Sequence, residues 1–485
     1  NPFDSMEKAI VEAYQIQHKA VPDTPLTMTY EYPLEGHPPM MTHVYEFNGN
    51  KLVAAKGAAE RIIRQCHLSQ IDIEKTVAKI KLLSSSGYRV IGVASATFTG
   101  PELPLSQDDF DWRFEGLLAL QDPPKQNISD VFRHFYKAGI EIKLITGDYP
   151  ETAMAIAGQT GITNHRKVML GDQIMTMNIE DLRHVAREYN VFARMFPDAK
   201  VKIVEALKAN GEVVAMTGDG VNDGPALKSA DIGIAMGQKG TEIARQASDI
   251  ILTDDNLERM VIAISEGRRI YSNLRKAVSY IISIHIPILL TASLPVVFGW
   301  LYPNIFTPIH VIFLELIMGP TCSIFFEREP LERNAMKLPP RKKTMKLFTN
   351  REIRISISQG LVIAAAVLSL YYYFMQQQFS IEQTRTIVFT TLIASNLFLT
   401  FTARSFDRVV YKQGQEKNKL VPVIIAISAF FLLALHTIPF VRELFRLAPI
   451  SIGQFSLCLV IAFVSVIWFE LYKLRKKPTR LATEK

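Results

Sequence analysis

The sequence predicts a multidomain chain in which an α/β portion precedes an all-helical membrane bundle. Three observations lead there. From Tyr271 onward, apolar runs of spanning length recur between short basic or polar connectors, while the first half mixes apolar and charged residues. In that first half, short apolar strands alternate with amphipathic helices, the pattern of a largely parallel sheet. Two of the strands end in glycine-rich turns, ITGD and MTGDGVND, and a parallel sheet meets its ligands at such strand ends.

The net charge of +7 on 485 residues raises the question of nucleic acid. Its clearest basic run, residues 341–346, flanks apolar spans, and no zinc-finger spacing or aromatic-basic motif accompanies it. We therefore read it as a topology signal and expect no nucleic-acid partner. Cys66, Cys322 and Cys458 are too far apart for a disulfide framework or paired metal ligands and read as unpaired thiols. The opening NPFDSMEKAIVEAY has no basic leader or apolar signal core, so the sequence begins inside a soluble region, as a truncated chain would.

In chain order, Asp4 is placed to cap the helix SMEKAIVEAYQIQ, and the proline-rich residues 21–40 interrupt regular structure. VYEF and KLVAA then form a hairpin across Asn48-Gly49-Asn50, two helical segments follow, and YRVIGVASATF returns as a strand. Strand FEGLLALQD runs into Pro123-Pro124, whose rings redirect the chain. The alternation that follows, ISDVFRHFYKAG, IEIKLITGD, PETAMAIAGQTG, VFARM, EVVAMTGDG, DIGIAM and DIILT, predicts helices around one parallel sheet. We place domains at 1–113, 114–255 and 273–476, with a helical stalk at 256–272 and a tail at 477–485. Six spans fall near 274–300, 305–326, 353–375, 386–401, 421–440 and 450–472. Lys and Arg concentrate in alternate loops, which puts both ends and the soluble domains on the cytoplasmic side. A large buried soluble helical domain would have to conceal too many apolar faces at once.

The densest chemistry lies in MTGDGVNDGPAL. Asp219 and Asp223 share one glycine-rich turn and can hold magnesium directly or through water, since the ion favours carboxylate oxygens. Gly218 and Gly220 permit close backbone approach, and the Asn222 amide can orient phosphate oxygens without adding charge. In ITGDYPET, the Thr146 hydroxyl and Gly147 backbone can meet phosphate, while Asp148 can cap the next helix, help position the hinge and nucleotide, or do both. Lys200, in FARMFPDAKVKIVEAL, supplies a compact cation for developing phosphoryl charge.

These motifs, in this order, resemble the P-type ATPase family, especially calcium-pump-like and related bacterial cation pumps. The resemblance covers nearly the whole sequence: YEFNGNKLVAAKGAAE, FEGLLALQDPPK, ITGDYPETAMAIA, FARMFPDAKVKIVE and MTGDGVNDGPALKSADIGIAMG. It implies a partial α+β nucleotide-binding domain and the C-terminal part of a HAD-like Rossmannoid phosphorylation domain, with ATP and Mg2+ as cofactors. Lys56, Gly57 and Arg89 would bind nucleotide, Asp122 would lie at the hinge, and Thr146, Gly147 and Lys200 would meet the phosphoryl group. Asp148 and Asn222 would stand at the same nucleotide, with Asp219 and Asp223 at the magnesium, and Tyr32 would lie near adenine. The sequence contains neither the DKTGT motif of the nucleophilic Asp nor the TGES motif of the actuator. The resemblance therefore implies a catalytically incomplete C-terminal portion of a cation pump in a bacterial plasma membrane. A non-catalytic nucleotide-binding regulatory fragment is the alternative.

Within span two, Glu315 precedes Gly319-Pro320 in an otherwise apolar run, where a carboxylate demands protein, water or a cation as partner. His285 stands beside Pro287 in span one, and Asn396 offers a neutral ligand or an interhelical hydrogen bond in span four. Calcium-pump-like proteins carry Asn and Asp where this chain has Glu315 and Gly319, which weakens calcium specificity and leaves an inorganic cation as the expected substrate.

Overall fold

The computed structural model describes residues 5–17, 26–36, 38–47, 50–320, 324–406, 409, 418 and 420–475. They form two units, Asn1–Val261 with Pro339–Lys343, and Ile262–Leu338 with Thr344–Lys485.

The first unit opens with α1 (Ser5–Gln17) and an antiparallel five-stranded sheet in the order β1 (Thr27–Glu35), β2 (Met40–Phe47), β3 (Asn50–Ala58), β4 (Arg89–Phe98), β5 (Arg113–Leu120). Helices α2 (Ala59–Gln65) and α3 (Gln70–Ser85) lie between β3 and β4 in the chain. The expected hairpin forms, with Phe47 paired to Asn50. Asn48 and Gly49 of its turn, and Asp4 before α1, lie outside the described residues. Residues 21–40 do not lack structure throughout, because Thr27–Glu35 is an edge strand. An edge tolerates Pro33, whose missing N–H deprives no partner, and the register shifts between Tyr32 and Glu35. Val44, Val53, Ala55 and Ala94 pack on Ile62 and Trp112 to make this sheet's core. Tyr32 belongs to that core: it is 6% exposed, donates its hydroxyl to Pro104 O at 2.6 Å, and meets Phe110 edge to face.

The chain then alternates as α4 (Ile128–Lys137), β6 (Leu144–Ile145), α5 (Pro150–Thr160), β7 (Val168–Leu170), α6 (Gly171–Thr176), α7 (Ile179–Glu188), β8 (Val191–Ala193), α8 (Pro197–Ala209), β9 (Ala215–Gly218), α9 (Gly224–Ser229), β10 (Ile232–Met236), α10 (Glu242–Ala247) and β11 (Ile250–Leu252). Its strands pair in two parallel sheets, β6-β8-β7 and β11-β10-β9, where the sequence suggested one. Helix α8 serves both cores, since Ile203 packs with Phe192 while its neighbour Val204 packs with Met216, and Ile145 touches each cluster. Beyond β11, Asp255 is buried in a left-handed conformation (φ 52°). Its carboxylate accepts the N–H groups of Gln238 and Lys239, each at 2.9 Å, and Lys125 donates to its carbonyl at 2.5 Å.

The remaining helices are α11 (Glu258–Val297), α12 (Pro308–Pro320), α13 (Asn350–Gln376), α14 (Ile381–Thr402), α15 (Val421–Thr437), α16 (Pro439–Leu444) and α17 (Ile452–Arg475). Among the described residues, α11, α13, α14 and α17 are long and apolar enough to cross a membrane, and α15 is a shorter apolar helix. Tyr280, Phe313, Ile363, Tyr371, Phe389 and Val466 build the common core of the second unit. Two buried ion pairs lie there: Glu329 accepts from Arg404 at 3.1 Å and from Asn418 at 3.0 Å, and Lys473 donates to Glu470 at 2.6 Å and to Thr402 O at 2.7 Å. Helix α14 is the most enclosed, with 83% of its apolar window buried against 28–39% for the other three. Its Thr386, Thr391 and Thr400 hydroxyls donate to the carbonyls of Glu382, Ile387 and Asn396, which satisfies them within the helix. Arg385, 5% exposed, donates to Ile305 O at 2.6 Å and Arg446 O at 2.9 Å. Cys66 and Cys458 are free and buried, and Cys322 lies outside the described residues.

Candidate functional site

Two strand-end turns in the first unit are tied to the start of α8. The first follows β6: Thr146 N–H donates to Phe192 O and Met195 N–H returns to Thr146 O, both at 2.9 Å. The second follows β9, where a short 3-10 turn over Val221–Asp223 leads into α9. Lys200, on the first turn of α8, reaches across and donates to Asp223 Oδ1 at 2.5 Å. Both groups are buried, at 8% and 9% exposure, so each charge depends on the other. The second Asp223 oxygen accepts the N–H groups of Asp219 at 3.3 Å and Gly220 at 3.2 Å. Asp223 thus closes its own turn, and the Asp219 and Asn222 side chains are left exposed beside it.

Glycine has a packing reason at one of these turns. A Cβ at Gly218 would stand 2.5 Å from Asp223 Cβ, so the tucked carboxylate requires glycine there. At Gly147 a Cβ would meet only Met195 O, at 3.6 Å, an ordinary contact. The fold leaves the space above Gly147 open.

Asp148 does not cap α5, whose N-cap is Tyr149 without a side-chain bond. Its carboxylate turns back to accept the Thr146 hydroxyl at 2.9 Å, and its N–H donates to the same hydroxyl at 3.1 Å. The Thr146 hydroxyl is therefore engaged in both directions. Arg89, the exposed first residue of β4, lies 3.6 Å from Asp148. On β3, Lys56 pairs with Glu7 of α1. Gly57 sits where β3 crosses the chain before β2, since a Cβ there would come 2.7 Å from Pro39 O. Asp122 is exposed just past β5.

Sequence reasoning passed over Arg194, which follows β8 at φ 54°. Its N–H donates to Asp148 O at 3.1 Å, its guanidinium lies 5.2 Å from the Tyr149 ring centre, and it pairs with Glu60 of α2. Burial first, then Glu151 and Glu60, push the Tyr149 phenol up, and Arg194 pulls it back. A left-handed arginine leaves no trace in the sequence.

Among the described residues, no group of three or more His, Cys, Asp or Glu side chains is gathered around a metal position. Of the two carboxylates expected at magnesium, Asp219 is exposed, while both Asp223 oxygens are already engaged, one by Lys200 and the other by the turn N–H groups. In the second unit, His285 Nε2 of α11 lies 3.1 Å from Glu315 Oε1 of α12, and His285 Nδ1 donates to Ile281 O at 2.9 Å. Both side chains remain about half exposed. Asn396 of α14 is 6% exposed with its Oδ1 unpartnered. The contacts found do not bring it to the His285–Glu315 pair.

Residues 35–231 match the haloacid dehalogenase-like hydrolase family, and residues 303–475 match the family described as cation transporting ATPase, C-terminus. Over 91% of its length the chain is 34% identical to calcium-transporting ATPase 1 of Lactococcus lactis subsp. lactis, covering 51% of that protein. The chain belongs to the P-type ATPase family. It is 29% identical over 92% of its length to calcium-transporting ATPase 1 of Bacillus cereus, and 32% identical over 81% to calcium-transporting ATPase 1 of Saccharomyces cerevisiae. The chain spans about half the length of the curated relatives it matches, 53% and 42% in these two cases. As a P-type ATPase chain with, among the described residues, four apolar helices of spanning length, it is a membrane protein. The expected class, a HAD-like α/β portion followed by an apolar helical bundle, is the class found.

Proposed function

We propose that this chain is the catalytically incomplete C-terminal portion of an ATP-driven inorganic-cation pump that works through an aspartyl-phosphate cycle in a bacterial plasma membrane. The observation that carries the proposal is the anchoring of both strand-end turns around the β8–α8 connection, through Thr146 with Met195 just before α8 and through Lys200 of α8 with Asp223. On this reading, residues 1–113 bind ATP through Lys56, Gly57 and Arg89, and residues 114–255 hold its phosphates, with Asp148 and Asn222 orienting them. Stalk 256–272 leads to six membrane helices in 273–476, α12 and α15 included, and the soluble parts and tail 477–485 are cytoplasmic.

The open space above Gly147 supports phosphate approach there, and Thr146 can turn its hydroxyl from Asp148 to a phosphoryl oxygen. Asp219 would hold magnesium, with Asp223 behind it keeping Lys200 and the turn in place. The ion, when bound, neutralises phosphate charge. The nucleophilic Asp, the actuator and the upstream spans would come from outside this sequence. His285 and Glu315, with Asn396 as a further oxygen donor, are the transport-site residues. An imidazole beside a carboxylate suits a divalent cation, and the relatives' names make calcium the first to try.

The test uses the complete reading frame, reconstituted in vesicles with ATP and calcium, manganese, sodium, potassium or zinc. The expected result is acid-stable phosphoenzyme and uptake of one of these ions, with Glu315→Gln altering the ion dependence. If a folded, inserted preparation forms no phosphoenzyme and takes up none of them, the pump reading is wrong.

A further inference from the structure

Three contacts join the five-stranded sheet and its helices to the first phosphate turn. Thr152 Oγ1 of α5 donates to Tyr88 O at 2.9 Å, Arg89 lies 3.6 Å from Asp148, and Arg194 pairs with Glu60. Their characters differ. The Arg89 side chain is 57% exposed, so its ion pair contributes little. Arg194 and Glu60 retain only 25% and 22% of their side-chain exposure, which leaves less water to screen them.

Arg194 also occupies a backbone conformation that glycine or asparagine adopts more easily. Such a residue persists when its surroundings over-determine it, and here they do. Its N–H is bonded to Asp148 O, the next N–H to Thr146 O, and its carbonyl lies against Gly171, where a Cβ would come within 2.3 Å. Fixed in this way, the side chain runs over Tyr149 to α2. Glycine would satisfy the backbone and lose that reach. Glu60 stands four residues after Lys56, so holding Glu60 also holds the end of β3.

We infer that Arg194 is a positioning residue whose ion pair with Glu60 clasps the five-stranded sheet onto the first phosphate turn, setting the closed spacing of Lys56 and Gly57 from Thr146 and Gly147. The consequence for phosphoryl transfer rests on the pump reading, but the clasp itself can be measured without turnover.

The test uses the 485-residue chain in detergent with its three cysteines replaced and spin labels at L105C and I179C, on exposed residues of the sheet side and of α7. Pulsed dipolar spectroscopy reads the distance between the labels. The parent should give one narrow population. Glu60→Gln should broaden it, with circular dichroism and melting temperature retained to separate opening from unfolding. Glu60→Arg and Arg194→Glu should each shift at least half of the population to longer distance, and the double charge swap should restore the narrow one. Parent-like distances in all three single variants, or a swap that fails to restore closure, would overturn the clasp. If the swap restores closure but the complete protein pumps nothing, the clasp stands and only its catalytic consequence is lost.

Discussion

Removing the Asp223 carboxylate is the most informative single perturbation of the proposed phosphate site. Asp223→Ala leaves the Lys200 ammonium buried without its partner and strips the acceptor from the Asp219 and Gly220 N–H groups. Breaking a buried pair from one side costs about 3–5 kcal/mol. In a unit of this size each kcal/mol moves the melting temperature by about 2–4 °C, so the variant should melt about 6–20 °C lower. Asp223→Asn keeps the shape and one acceptor oxygen and should fall between the variant and the parent. Lys200→Met should cost less than Asp223→Ala, because Asp223 keeps two N–H donors. Combined with Asp223→Asn, it should fall short of the summed single losses by about 0.5–3 kcal/mol, the mark of groups in direct contact. The assay is thermal unfolding of the purified chain in detergent, followed by circular dichroism. A shift under about 2 °C for Asp223→Ala, or strict additivity in the double variant, would refute the buried pair. The same numbers govern how loss of phosphoenzyme in Asp223→Ala is interpreted: only Asp223→Asn, folded at the assay temperature, separates chemistry from collapse of the turn.

Three further outcomes follow from the same contacts. Gly218→Ala should destabilise by about 1–3 kcal/mol, because its methyl group meets Asp223 Cβ, whereas Gly147→Ala should stay within about 0.5 kcal/mol and yet impair phosphoenzyme formation in the complete protein. Equal melting losses in the two would contradict that contrast. Arg385→Met removes the donor from two carbonyls, at about 1–3 kcal/mol each, and should lower the melting temperature of the second unit in detergent; an unchanged melt would show that water replaces it. For Asp255, burial pushes the carboxyl up, but the N–H groups of Gln238, Lys239 and Gly237 and the Lys125 charge outweigh it and hold it below the ordinary aspartate value. Its stabilisation is therefore present above the unfolded-state value and lost as pH falls through the lower folded one. Asp255→Asn, which tolerates the left-handed backbone, should cost about 1–3 kcal/mol at neutral pH, with the gap closing in acid; a gap independent of pH would exclude the charge as its cause.

Much of the fold is legible in the sequence because periodicity reports burial directly. All six apolar runs contain helices, and MTGDGVND forms a strand-end turn as its glycines suggest. What stays hidden depends on contacts between residues far apart in the chain. Lys200 and Asp223 read as separate phosphate and metal groups, and only the crossing of α8 makes them a pair. Gly57 and Gly218 read as places for a ligand to approach, and the sequence does not reveal the second reason for glycine there, that Pro39 and Asp223 fill the space a side chain would need. Pro33 argues against a strand until β1 is seen to be an edge, and the aromatic character of Tyr32 cannot say which face of the sheet it joins. Arg194 illustrates the limit, since neither its backbone angle nor its partner is encoded nearby.

The enclosure of α14 bears on how the chain is made. A translocon judges each segment by its own hydrophobicity as it emerges, before any neighbour can shield it. Helix α14 is the least apolar of the four long apolar helices described and carries Arg385 near its start. An arginine at a helix centre costs about 2.5–3.5 kcal/mol on the insertion scale, less near an end. Thr386, Thr391 and Thr400 arrive with their hydroxyls already bonded to the preceding turn, which softens their entry, whereas the Thr384 hydroxyl finds no partner. The carbonyls that quiet Arg385 belong to a loop synthesised earlier, at Ile305, and one synthesised later, at Arg446. Stable residence of α14 therefore awaits a downstream segment, and a ribosome stalled between residues 402 and 446 should leave this span the most exposed to quality-control proteolysis.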